Sequence, residues 1–215
     1  MIVARGSGGA RVGSGAMSRR NVEVRREEIL LATLAQAGRL GMDQLRVQDV
    51  AKSLGVSTGL VFYHFDTKDK LLAAALEHAV DRDLARLDRA VARGSDPLDR
   101  LRRVISSYGP TGAASGWTLW IDAWAMALRH PPIRTTLRRL DGRWRAALRD
   151  AIVEGTTTGD FTCPDPAATV ARIGGLLDGL SVAALVYRNV RRAQLRTWTR
   201  EAVAAELGLD PSDLT

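Results

Sequence analysis

Residues 47–71 read VQDVAKSLGVSTGLVFYHFDTKDKL. Val47, Val50, Ala51 and Leu54 recur at i, i+3, i+4 and i+7, so they share one face of a short helix. Gly55 can supply the left-handed turn that follows, because it has no Cβ to clash. Ser57 suits the N-cap of a second helix, about residues 58–65. That helix offers Leu60, Val61 and Phe65 to packing and leaves Thr58, Tyr63 and His64 to face outward. Two short helices around a glycine turn make a helix-turn-helix, whose second helix enters a major groove by its N-terminal end. Thr67 then caps another helix, with Asp69 in its first turn and Lys68 placed to grip a phosphate.

The strings VQDVAKSLGVS, TGLVFYHF and DTKDKL resemble the N-terminal domain of TetR-family transcriptional regulators, with the match running from about Arg25 to Leu72. The resemblance implies an all-helical, dimeric, ligand-responsive DNA binder, mostly of repressor type, acting on a palindromic operator. It places Tyr63, His64 and Lys68 at backbone-contacting positions. Phe62 stands where the family often has a phosphate-binding Tyr, and Leu45-Arg46 where small hydroxyl residues are usual. The second helix therefore lacks its expected cap, and Arg46 is free to meet a phosphate. Arg25 is either solvated surface or a further phosphate contact. Thr58 and Leu60 lie nearest the bases, with Gly59 allowing close backbone approach. His64 reads as a backbone contact or as a buried, hydrogen-bonded side chain.

Composition agrees with this class. The chain has 215 residues and a net charge of +7, which suits a polyanionic partner without proving one. Strand-like alternation is absent, which favours an all-α protein of about nine helices. The single Cys163 rules out an internal disulfide and a cysteine-only metal site. His64, His78 and His130 carry no metal or nucleophile spacing, so no catalytic residue, metal or cofactor is expected. No uninterrupted apolar run of about 18 residues marks a membrane span, and no signal-peptide core is present; a cytoplasmic location is the default.

The expected domains are a disordered basic arm over 1–22, a DNA-binding head over 23–72, a regulatory and dimerisation body over 73–208, and a short polar tail over 209–215. The arm is either a floppy tail, with Met17 as the true start, or a minor-groove tracker. The first helix spans 23–40, with Ile29, Thr33, Ala37 and Leu40 as its apolar stripe. A long fourth helix reaches about Arg93 and links head to body. Later helices are expected over 98–108, 115–129, 133–154, 167–187 and 191–207, with loops at 109–112 and 155–166.

In the body, Trp117, Trp120 and Trp124 share one helix face, and Trp144 follows on the next helix. They either pack the core or line a cavity for an effector. Aromatic faces hold apolar or cationic ligands, and Asp122 and Asp178 are either counterions for a cation or capping, salt-bridged or solvated residues. The strings WTLWIDAWAMALRHPPIR and LLDGLSVAALVY resemble the body of betaine-repressor-like members of the family. In that family the last two helices pair with their symmetry mates. The resemblance thus puts Ile173, Leu177, Leu180, Ala184, Leu195, Trp198 and Ala202 at a homodimer interface. A DNA binder without small-molecule control is the alternative function.

Overall fold

The computed structural model describes residues 13–108 and 115–215. Nine α-helices lie among them, with no strand. They are α1 (Gly13–Leu40), α2 (Val47–Leu54), α3 (Thr58–Phe65), α4 (Lys68–Ala92), α5 (Pro97–Ser107), α6 (Ser115–Ala127), α7 (Pro131–Thr158), α8 (Pro166–Val182) and α9 (Arg192–Leu207). A π-helical turn, Ala183–Tyr187, extends α8, and a 3-10 turn, Pro211–Leu214, follows α9. The expected all-α fold is the one observed.

Local signals fix the head. Gly55 stands at φ +65° and passes the chain from α2 to α3. The Ser57 hydroxyl accepts the Leu60 N–H at 3.2 Å, and the Thr67 hydroxyl accepts the Lys70 N–H at 3.2 Å. Leu45 is fully buried, which explains an apolar residue where a hydroxyl was expected. The missing cap is partly replaced, because the Asp49 carboxylate accepts the Arg46 backbone N–H at 2.9 Å. Val50, Val61, Phe65, Leu71 and Leu72 join Ile29, Thr33 and Ala37 in the head's interior. Leu40, expected on that stripe, is exposed instead.

Three boundaries are corrected. Helix α1 begins at Gly13, not Glu23. No proline interrupts residues 13–23, and once a helix is nucleated each added residue gains a backbone bond. Residues 1–12 of the expected arm, and the expected break at 109–112, lie outside the described residues. Helix α7 runs on through the supposed loop at Gly155 to Thr158. The Phe161 ring lies where a Cβ at Gly155 would stand, 2.2 Å away, so only glycine admits it. The tail is also structured: Leu214 is buried, and Arg102 Nε donates to the Asp213 carbonyl.

The body is α4 to α9. One core combines Leu87, Leu101, Val104, Trp144, Leu148 and Ile152 with Ile173 and Leu177 of α8 and Val203 and Leu207 of α9. The Arg172 guanidinium grips Glu206 across α8 and α9, with Nε to Oε1 at 2.6 Å. That bond holds the Glu206 carboxyl below the usual carboxylate range. The stretch Pro166–Tyr187 is long and apolar enough to cross a membrane by length and composition, and 33% of its most apolar window is buried in the chain's own core.

Candidate functional site

Two sites emerge, one on the head and one in the body. On the head, Tyr63 is 76% exposed and its ring meets the His64 ring edge-on, centroids 5.3 Å apart. His64 is half-buried. Its imidazole is held below its ordinary pKa by loss of solvent, then by the charges of Arg26 and Arg25. Arg26 lies over the Phe65 ring at 4.6 Å, while Arg25 is ion-paired with Glu28 at 2.6 Å. Lys68 Nζ donates to the Asp43 carbonyl at 2.8 Å, which ties the start of α4 to the α1–α2 turn. Arg46 and Gly59 are exposed, and Thr58 and Leu60 are half-buried. Phe62 is exposed on the same short helix.

The body holds a cavity of about 370 Å³. Trp117, Trp120, Trp124 and Trp144 all line it, together with Asp178. The α6 spacing brings three of these rings to one face, as the sequence implied. Tyr108 is an aromatic lining residue that sequence reading missed. Its ring lies 3.9 Å from that of Trp144 and 5.6 Å from that of Trp117, which in turn meets Trp124 edge-on at 5.7 Å. Trp144 is fixed by its Nε1–H, which donates to the Val104 carbonyl at 3.3 Å.

The Tyr108 hydroxyl donates to Asp178 Oδ1. Burial, then the adjacent carboxylate, push the phenol's pKa well above its usual value, so it stays protonated and keeps donating. Asp178 itself is raised by burial, while the bond from Tyr108 pulls it the other way. Further charged residues line the cavity: Asp83, Arg134, Arg138, Asp141 and Arg145. Arg145 Nε is neutralised by Asp141 at 2.8 and 2.9 Å. Arg134 and Arg138 are exposed at the rim. A signal existed for these in the sequence. Residues 134, 138, 141 and 145 recur at i, i+4, i+7 and i+11, flanking Leu137 and Trp144 on one stripe of α7.

Asp122 does not line this cavity. Two residues from Trp120, its carboxylate turns the other way and accepts the Met42 backbone N–H at 3.2 Å. It therefore joins α6 to the turn after α1, and its role as a counterion is corrected to a link between body and head.

The expected interface residues divide. Ile173, Leu177 and Leu195 are buried inside the single chain, so no second copy can reach them. Ile173 and Leu177 pack α8 into the core it shares with α5 and α7, a job the apolar stripe alone did not distinguish from dimerisation. Leu180, Ala184 and Ala202 are half-buried, and Trp198 is 42% exposed. Gly175 and Gly179 lie open beside them, with no atom within 4 Å of where a Cβ would stand.

Comparison with known proteins places the chain. The profile of the BetI-type transcriptional repressor C-terminal family matches residues 97–208, and that of bacterial regulatory proteins of the tetR family matches 29–75. The HTH-type transcriptional regulator BetI of Stenotrophomonas maltophilia is 33% identical over 135 residues, covering 59% of this chain and 67% of the relative. That of Paraburkholderia phytofirmans is 30% identical over 170 residues, covering 74% and 80%. Among solved structures, a transcriptional regulator from Saccharomonospora viridis in complex with choline superposes with TM-score 0.81 at 26% identity, covering 86% of this chain and 98% of that one. A TetR-family regulator from a Rhodococcus species gives 0.72 at 30% identity, covering 84% and 97%. These relatives are DNA-binding regulators rather than enzymes, and the chain belongs to the TetR family of transcriptional regulators, in its BetI-type branch.

Proposed function

We propose that this protein is a homodimeric repressor released from a palindromic operator by a small cationic effector held in the tryptophan cavity. The observation that carries the reading is the pairing of four tryptophans with the half-buried Asp178 carboxylate in one cavity. Ring faces attract a quaternary ammonium, and a carboxylate balances its charge. A cavity of about 370 Å³ is of ordinary ligand-site size. The choline-bound relative from S. viridis supports the same ligand class. Arg134 and Arg138 at the rim favour an effector whose cationic end enters first and whose other end carries an oxygen or a carboxylate.

In this reading the head spans 23–72 and the body 73–208. Arg25, Arg46, Tyr63, His64 and Lys68 hold phosphates, and Thr58, Gly59 and Leu60 approach the bases. Two copies join through the open side of α8 and α9: Gly175, Gly179, Leu180, Ala184, Trp198 and Ala202. The apolar surface that α8 leaves uncovered supports this face. Two-fold symmetry then asks for a palindromic site. A location in the cytoplasm, with the DNA, follows from the function.

Tryptophan emission tests the effector class. Choline and trimethylglycine are expected to quench or shift emission saturably, and choline's uncharged tert-butyl analogue to bind far less well. Exchange of Trp117 for Leu should weaken choline by about 0.5–2 kcal/mol. Equal binding of the uncharged analogue would remove the cation from the proposal.

A further inference from the structure

A second cavity, of about 210 Å³, lies between α5 and α9 under the Pro211–Leu214 turn. Its walls are two matching triplets. Arg102, Ile105 and Ser106 stand at i, i+3 and i+4 on α5, and Arg196, Thr199 and Arg200 stand at i, i+3 and i+4 on α9. Leu214, itself buried, closes a further side.

Three arginines therefore line one small, mostly apolar space. Arg102 spends its Nε–H on the Asp213 carbonyl, which leaves its two Nη groups. Neither Arg196 nor Arg200 has an ion pair among the described residues. Thr199 adds an independent sign. It is 3% exposed, and its Oγ1 is buried without any hydrogen-bond partner. A buried hydroxyl left unpaired costs stability, and here it belongs to a residue that lines the same space as three arginines. Ile105, Leu214 and the aliphatic stems of the arginines supply the apolar lining, and Ser106 and Thr215 complete the wall.

We propose that this gap is a binding site for a small organic carboxylate with an apolar body. The carboxylate would take guanidinium N–H donors and the Thr199 hydroxyl, and the hydrocarbon would fill the floor between Ile105 and Leu214. Arginine suits this because its planar fork matches a carboxylate's two oxygens. The space is too small for a long chain, so a short acyl or single-ring acid is the class that fits. The site lies apart from the tryptophan cavity and shares no lining residue with it. It does not rest on the effector reading above.

Calorimetric titration of the full chain with hexanoate tests this, with hexanol and sulfate as the neutral and purely ionic controls. Hexanoate is expected to bind saturably, and neither control to compete. Replacing both Arg196, which is exposed, and Arg200, which is half-buried, with Gln should weaken hexanoate about tenfold or more. Thr199→Val should weaken it as well, yet leave the melting temperature unchanged or raised, since it removes an unpaired hydroxyl. Trp117→Leu should leave hexanoate binding intact, which separates the two cavities. Absence of binding, equal affinity in the arginine variant, or displacement by sulfate as readily as by hexanoate would each overturn the proposal.

Discussion

Asp178 shows how one side chain can serve two states. Its carboxyl is half-buried, and that partial burial raises its pKa despite the bond from Tyr108. For an acid raised in this way, the protonated form is the one folding favours. The associated stability is full below the unfolded pKa and is lost as pH rises through the folded one. A cation beside Asp178 favours the ionised form, so binding should release a proton. Choline affinity is therefore expected to rise with pH across the window between the ordinary carboxylate value and the raised one. Asp178→Asn should bind more weakly and lose that dependence. A pH profile of choline binding identical in the two proteins would take Asp178 out of the site. On the head, His64 is poised in the opposite sense, since loss of solvent and then Arg26 and Arg25 lower its pKa and a phosphate would raise it.

Elements decide which surfaces remain for partners. Helix α8 has one side built into its own chain through Ile173 and Leu177, and another carrying Gly175 and Gly179 in the open. Gly179→Arg is expected to leave the single chain folded, since nothing stands within 4 Å of the new Cβ. It should also turn a dimer into a monomer when followed by sedimentation at micromolar concentration. A dimer that survives would place the interface elsewhere. Helix α6 faces two ways as well, with Trp120 and Trp124 in the cavity and Asp122 on the Met42 N–H. Met42 is buried, so Asp122→Ala would strand its N–H and should lower stability by about 1–3 kcal/mol. If α6 transmits the signal, the same variant should retain choline binding and lose part of its effect on DNA. Unchanged stability and unchanged release would reduce the Asp122 bond to an incidental contact. What the sequence disclosed at this scale was what short range determines. Gly55, Ser57 and Thr67 announced the helix ends, and the i, i+3, i+7 spacing of the tryptophans announced a shared face. An apolar stripe says that a helix side is covered, not by which chain, so Ile173 and Leu177 were assigned to the wrong contact.

The molecule as a whole joins the head to the cavity through the long α4, the Asp122 bond and the packing of α6 on α1. Long-range pairings of this kind were not legible beforehand. Asp122 meets a residue 80 positions away, and Tyr108 meets Asp178 across 70. No local pattern in either segment signals its partner, whereas the head is built almost entirely from neighbours in sequence. The function proposed depends on those distant pairings, because an effector controls DNA binding only if it prefers one arrangement of the heads. The direct measurement is titration of a genomically selected operator duplex with and without saturating choline, and of choline with and without that duplex. Choline is expected to weaken operator binding by a factor of about 5–150, and the duplex to weaken choline binding by the same factor. Equal operator affinity in the two titrations would contradict ligand-controlled repression.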